Sequence, residues 1–270
     1  LLYARFYHKL LRDEGLLTSN EPFKRLLCQG MVLADSFFTE KQDGSKTWHN
    51  PKDIDVERDD KGRVTAAHDI KTNTPVEFGG MTKMSKSKNN GVDPQEAIDK
   101  YGADTVRLFT MFAAPPEQTL EWNDDGVAGA QRFLRRLWSL CTENADSIDI
   151  TLLNNQLQLN ADTKLDGTAE ECRHAVYVTL EKALADFSKN QFNTVIAACM
   201  TMLNALTKKD IGSEVKTEGI GILLRLLSPM APHICHHLWK ELGFGSDILT
   251  AQWPELDANA LTTANVEIVV

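Results

Sequence analysis

Asn123–Glu143, reading NDDGVAGAQRFLRRLWSLCTE, decides how the rest of the chain is read. Val127, Ala130, Leu134, Leu137 and Cys141 recur with the 3.6-residue period of a helix that buries one face. The same period returns in Val176, Leu180, Leu184 and Phe187, again in Phe192, Val195, Cys199, Met202 and Leu206, and again in Ile220, Leu223, Leu224 and Leu227. Pro229 and Pro232 open a last helix through His233, Ile234, Leu238 and Leu242, closed by Gly243. Long amphipathic helices joined by short polar loops predict an antiparallel bundle.

Working back from Asn123, the texture changes. Leu1 to Asp13 reads as a helix with Gly15 just past its last turn. Leu26 to Phe38 stays apolar and uncharged until Asp35, which predicts a buried strand continuing into a second extended stretch. Between Thr39 and Gly79, short alternating runs are divided by Asp43-Gly44 and Asp60-Lys61-Gly62 turn signals, the pattern of a small β-rich insertion with little core of its own. Gly79 to Gly91 reads as a loop. Asp93-Pro94-Gln95-Glu96 announces a helix: Asp93 as cap, Pro94 in the first helical position, Glu96 reaching back as a capping-box partner. The fold class is mainly α: an α/β piece, a β insertion and an α bundle.

Composition sets bounds. The 270 residues suffice for a sizeable core, and 42% hydrophobic with 25% charged residues is ordinary for a globular protein. No apolar run reaches the ~20 residues of a membrane span, and Arg5, His8, Lys9 and Arg12 interrupt the only candidate for a leader. Five cysteines lie far apart without a C-x-x-C pair, four in helical stretches and Cys28 in the strand-like run. Reduced core thiols of a cytoplasmic protein are the economical expectation. The net charge of −9 speaks against a nucleic-acid binder, but charge placement outweighs the sum. Lys83, Lys86 and Lys88 stand without nearby acids, and Arg132, Arg135 and Arg136 share one helix. The chain opens without Met in an amphipathic pattern and closes on the alternating Val266–Val270, so both ends read as cut through an element.

Lys83-Met84-Ser85-Lys86-Ser87-Lys88 places three cations within six residues. Lysine is a point-charge phosphate binder on a flexible stem, and an extended loop can converge such groups on an oxyanion. Ser85 and Ser87 add hydroxyls, and the flanking Gly79-Gly80 and Asn90-Gly91 would let the loop move. A bare K-x-x-K pattern is far more often the mark of a solvated basic loop. The full string is more specific: Lys-Met-Ser-Lys-Ser resembles the signature loop of class I aminoacyl-tRNA synthetases. The longer run to Asn89-Asn90-Gly91-Val92-Asp93-Pro94 resembles the leucyl enzymes of bacteria. So do Leu1-Leu2-Tyr3-Ala4-Arg5-Phe6, Leu26-Leu27-Cys28-Gln29-Gly30-Met31-Val32, Tyr101-Gly102-Ala103-Asp104-Thr105-Val106-Arg107 and Thr119-Leu120-Glu121-Trp122.

That resemblance implies the following organisation. Residues 1–38 would belong to a partial Rossmann-like catalytic domain and 39–79 to a leucine-specific-type insertion. Residues 80–122 would carry the signature loop and the end of the catalytic domain, 123–258 a helical tRNA-binding bundle, and 259–270 the start of a further domain. The implied activity is leucine–tRNA ligation, with leucine, ATP with Mg2+ and tRNA(Leu) as partners. Lys86 and then Lys83 would be catalytic, with Met84, Ser85 and Ser87 completing the ATP-binding loop. Arg132 and Arg136, one helical turn apart, would contact tRNA phosphates, whereas a solvated helix face, with Glu143 or Asp146 as available partners, is the bland alternative. No His-x-Gly-His string is present, so the chain alone is expected to be inactive. A methionyl- or valyl-type enzyme of the same subgroup and a stand-alone RNA-binding or scaffolding module are the alternatives. Among His233, Cys235, His236 and His237, His233 and His237 share a helix face, but no H-E-x-x-H is present and Cys235 points elsewhere, so no structural metal is expected. Trp122, Trp138, Trp239 and Trp253 read as core residues. A monomer with no membrane association completes the expectation.

Overall fold

The structure, a computed structural model, describes residues 1–160 and 162–262; the alternating stretch Val266–Val270 lies outside them. The order of elements follows the texture of the sequence. Helix α1 (Leu2–Asp13) precedes a sheet built on β1 (Val32–Glu40), and β2 (Lys46–His49), β3 (Ile54–Arg58), β4 (Val64–Asp69) and β5 (Glu77–Lys83) follow. Helices α2 (Pro94–Tyr101) and α3 (Ala103–Ala113) lead to the short β6 (Leu120–Glu121). The bundle comprises α4 (Asp124–Glu143), α5 (Gly167–Ser188), α6 (Phe192–Leu206), α7 (Ser213–Leu227) and α8 (Pro232–Glu241), and the short α9 (Ala258–Leu261) packs on α5.

β1 is the hub of the sheet. It pairs antiparallel with β2 near its end (Phe37 opposite His49), antiparallel with β5 (Leu33 opposite Lys83), and parallel with β6 at its start (Val32 opposite Leu120). β3 and β4 form a separate antiparallel hairpin. Beneath it Phe37, Ile54, Ala67 and Val76 make a cluster of only four buried apolar residues, as the turn-rich sequence leads one to expect. β1 and β5 both run across the insertion's expected borders, so insertion and flanks share one sheet.

The bundle is of a different order. One continuous core runs from Leu108 to Ala260 and contains every stripe residue of α4, along with Val176, Leu180, Val195, Cys199, Met202 and Leu206. α7 is buried around nearly its whole circumference, and this is possible because two glycines face its neighbours. A Cβ on Gly219 would lie 2.4 Å from a Leu206 methyl, and one on Gly221 would lie 2.8 Å from a Leu157 methyl. Charged groups inside this core are paired, whereas Asn193 Oδ1 on α6 is buried without a hydrogen-bond partner among the described residues. Glu218 accepts from Arg173 Nε (2.7 Å), Arg173 Nη2 (3.0 Å), Tyr177 Oη (2.9 Å) and the Leu159 amide (2.9 Å). Burial works against the Arg173 guanidinium, yet its bonds to Glu218 and Asp257 more than offset it and raise its pKa. Arg225, with only carbonyl partners on Gly221 and Gln252, is pulled down by burial to about 10.

Several expectations are corrected. The buried strand begins at Val32, not Leu26: Leu26, Leu27 and Cys28 are exposed, because β5 and β6 offer partners only from Val32 and Leu33 onward. The segment read as a loop from Gly79 is strand as far as Lys83. Glu96 does not close a capping box; its carboxylate binds Lys52 Nζ at 3.0 Å, while Asp93 alone caps α2 through the Gln95 and Glu96 amides. Of the tryptophans, Trp239 is buried and Trp122 half-buried, but Trp138 and Trp253 are exposed at 42% and 40%.

Candidate functional site

The lysine-rich loop is a structured turn at the end of β5. The ladder with β1 continues one bond past Lys83, the Met84 amide donating to the Val32 carbonyl at 3.0 Å. Ser85 is extended, and its Oγ accepts from the Lys88 amide (3.3 Å), capping a 3-10 turn over Lys86–Lys88. Ser85 and Ser87 hydroxyls lie 3.2 Å apart. The turn ends at Asn89, which takes the left-handed conformation (φ 50°) that an Asn tolerates. The hydroxyls are therefore spent partly on the loop itself rather than held out as free donors.

This arrangement projects cations. Lys83 and Lys86 are exposed, and among the described residues neither forms an ion pair. Lys88 instead leans over the Trp48 ring, 5.4 Å from its centroid, and Asn89 Nδ2 reaches the Trp48 carbonyl at 3.5 Å. The glycines expected to loosen the loop do other work. A Cβ on Gly79 would come 2.8 Å from Ser36 Oγ and 3.0 Å from the Trp48 ring, so Gly79 permits close packing. Gly80 has φ 85° beside the register shift in the β1–β5 ladder, and its carbonyl accepts from Ser36 Oγ at 2.8 Å.

Asn90, expected with Gly91 to let the loop move, is instead fully buried. Its Oδ1 accepts from the Ser85 amide (2.9 Å). Its Nδ2 points at the Ala34 carbonyl (3.4 Å), the Thr82 carbonyl (3.4 Å) and Thr82 Oγ1 (3.2 Å). No periodicity marks such a residue, and an Asn-Gly pair reads as a turn signal. Sequence reading passed over the role of Asp104, which caps α8 from across the molecule by accepting from the Ile234 amide (2.7 Å) and His233 Nδ1 (2.8 Å).

A second basic face lies on α4. Arg132, Arg135 and Arg136 are exposed, and among the described residues none pairs with a carboxylate, so pairing with Glu143 or Asp146 does not occur. Arg136 Nη2 donates to Asn204 Oδ1 on α6 at 2.6 Å. Beside them Trp138 stacks flat on His237, 5.3 Å between centroids and 7° between planes. A groove of about 550 Å3 passes here, lined by Gln131, Arg135, Trp138 and His233 among others. Neither hydrogen bond nor ion pair joins this face to the loop among the described residues. Nor do those residues gather three or more side chains fit to hold a metal ion, and no helix is long and apolar enough to cross a membrane.

Comparison with known proteins gives consistent likenesses. Residues 72–123 match the model of class I tRNA synthetases of the I, L, M and V types, and residues 170–270 that of the anticodon-binding domain of tRNA ligases. Along its whole length the chain is 52% identical to the leucine–tRNA ligase of Pseudoalteromonas atlantica. It is 50% identical to that of Ralstonia pickettii and 48% to that of Marinobacter nauticus. It spans 31% of the length of each of these relatives. Among solved structures it is similar to a LeuRS from Agrobacterium radiobacter K84 in a ternary complex with tRNA and LeuAMS. There the TM-score is 0.62 and the identity 26%, over 97% of this chain and 28% of that one.

Proposed function

We propose that this chain is the part of a leucine–tRNA ligase that carries the phosphate-handling loop and a tRNA-facing helical bundle. In the whole enzyme a leucine carboxylate oxygen attacks the α-phosphorus of Mg-ATP. The bond from that phosphorus to the bridging oxygen breaks, and pyrophosphate leaves with the electron pair. A ribose hydroxyl of the terminal adenosine of tRNA(Leu) then attacks the leucyl carbonyl carbon, and AMP leaves as the bond to its phosphate oxygen breaks. Charge accumulates on the phosphoryl oxygens of the leaving group, and fixed cations there lower the barrier. Lys86 is assigned that role first and Lys83 second, with Met84, Ser85 and Ser87 shaping the ATP-binding loop.

The observation that carries this reading is the pair of exposed lysines that, among the described residues, have no carboxylate partner, held on an anchored turn within the segment that matches the class I synthetases. The leucine specificity rests on the relatives' likeness over the full chain. Residues 1–38 and 80–122 are read as catalytic-domain pieces, 39–79 as the leucine-specific-type insertion, and 123–258 as the bundle. The enzyme is read as a cytoplasmic monomer. Single-turnover adenylate formation in the full-length ligase is the test. Lys86→Ala should slow it roughly 100-fold, in the range for removing one transition-state charge partner, and an unchanged rate would refute the assignment. The 270-residue chain by itself should show no leucine-dependent pyrophosphate exchange.

Arg132 and Arg136 are read as contacts to successive tRNA phosphates, supported by their exposure and by the absence of a carboxylate partner among the described residues. Charge reversal of both to Glu should weaken tRNA binding and lower the slope of log K against log salt by roughly two. The same slope in variant and parent would leave the arginines as a solvated face.

A further inference from the structure

We infer that Asn90 is a positioning residue for the lysine loop: its carboxamide pins the loop's base to two strands and so fixes where Lys83 and Lys86 stand. The inference deepens the ligase reading and rests on it. The loop enters from β5 at Lys83 and returns at Asn90, and the Asn90 side chain closes that circuit. One end accepts from Ser85, the residue that itself caps the Lys86–Lys88 turn, while the other end donates to β1 at Ala34 and to β5 at Thr82. Its amide therefore links the strand that delivers Lys83 to the turn that presents Lys86.

The burial argues that this is a commitment and not an incidental contact. A fully buried carboxamide costs free energy unless each polar atom finds a partner, and here each does. Among the described residues the Ser85 amide has no other hydrogen-bond acceptor, so without Asn90 that donor loses its partner. The loop would keep its outer contacts, Lys88 over Trp48 and Asn89 on the Trp48 carbonyl. It would lose the single group that sets the distance between its two ends. Displacing a charge partner by about 1 Å costs on the order of 100-fold in rate, so the consequence should appear in the chemical step that builds charge on phosphate.

That step can be isolated. Adenylate formation needs the triphosphate handled, whereas transfer from preformed leucyl-adenylate to tRNA does not. In the full-length ligase, with active sites titrated, Asn90→Ala should slow adenylate formation roughly 10- to 100-fold and leave the transfer rate and the KM for leucine unchanged. Cleavage by trypsin after Lys83, Lys86 and Lys88 should quicken in the same variant. Thr82→Val, which removes only the hydroxyl partner of Asn90, should move both readouts in the same direction by a smaller factor, and it serves if Asn90→Ala does not fold. With rates expressed per active site, a merely structural Asn90 would lower the titratable fraction and leave both half-reactions unchanged, and that result overturns the inference, as does an unchanged cleavage rate in both variants. Lys86→Ala is run alongside: an unaffected adenylate rate there would sink the ligase assignment of the loop, while the cleavage readout would still judge the anchoring by Asn90.

Discussion

The helical bundle and the sheet-bearing half bury apolar surface on different scales. From Leu108 onward one core gathers side chains from α3 to α9, with many at zero exposure. The β3–β4 hairpin covers four buried residues, and α1 buries none, leaving Leu2, Tyr3, Phe6 and Leu10 open. Since hydrophobic stabilisation scales with the apolar area removed from water, the bundle should hold itself together while the first half contributes little cooperativity. The loop with Lys83 and Lys86 stands on the weaker half, and this is why local anchors such as Asn90 matter there.

The cysteines break or sharpen this contrast with the largest effect. Cys28 lies exposed in the first half, and Cys141, Cys172, Cys199 and Cys235 lie buried in the bundle. Burial raises the buried thiols' pKa values, that of Cys141 to about 12, so the reactive thiolate is scarce in the fold as well as shielded. At pH 8 a thiol reagent should modify one cysteine at the rate of a free peptide. The other four should react at least roughly a thousandfold slower, limited by opening of the bundle. A second fast thiol, mapped by mass spectrometry to any bundle helix, would mean the core is not continuous.

Next in size is the buried ionic group. Glu218→Ala would strand Arg173, Tyr177 Oη and the Leu159 amide inside the core, leaving Asp257 as the guanidinium's remaining partner. Breaking a buried pair in this way costs about 3–5 kcal/mol, to be read from the urea midpoint of the helical signal. Glu218→Gln, which preserves shape and an acceptor, should cost less. Equal midpoints for parent and Glu218→Ala would show that the network adds nothing to the bundle. Asp257 gives a pH arm. Burial pushes its carboxyl up, but Arg173 and the Asn259 amide outweigh this and hold its pKa below the usual carboxylate range. A depressed carboxylate stabilises above its unfolded pKa, so this contribution should fade as pH drops from about 4 through the lower folded value.

What the sequence discloses follows from how far each feature depends on distant chain. The stripes of α4 and α6 are local periodicities, and the residues they select are buried with the exception of Phe192, which is half-buried. α7 shows only its stripe of Ile220, Leu223, Leu224 and Leu227 to such a reading. The burial of its other faces depends on Gly219 and Gly221 admitting Leu206 and Leu157 from elsewhere. Leu26 to Met31 reads locally like the strand that follows it, but the ladder with β6 begins only at Val32. Trp138 falls one position off the apolar stripe of α4 and meets His237 instead of the core. The lysine loop was legible as a string, but its anchor was not. Asn90 meets Ser85 and Thr82 within the adjoining turn and strand, but it gains Ala34 only when β1 lies beside β5, and no periodicity near it encodes that meeting.

The smallest expected effect probes the open face of α1. Phe6 is 64% exposed, stacked edge-on against Tyr7 alone among the aromatic rings. Phe6→Ser should therefore change the unfolding free energy by no more than about 0.5 kcal/mol, as for a surface site, where a large-to-small change in the bundle core costs about 2–5 kcal/mol. Dilution decides what a larger value means. If the parent chain exceeds the variant in stability at high protein concentration and the gap closes on dilution, a second copy covers the α1 face in solution, since mass action stabilises only the associated form. If the gap persists at every concentration, the face packs within one chain, and the contrast between the two halves is smaller than their buried residues suggest.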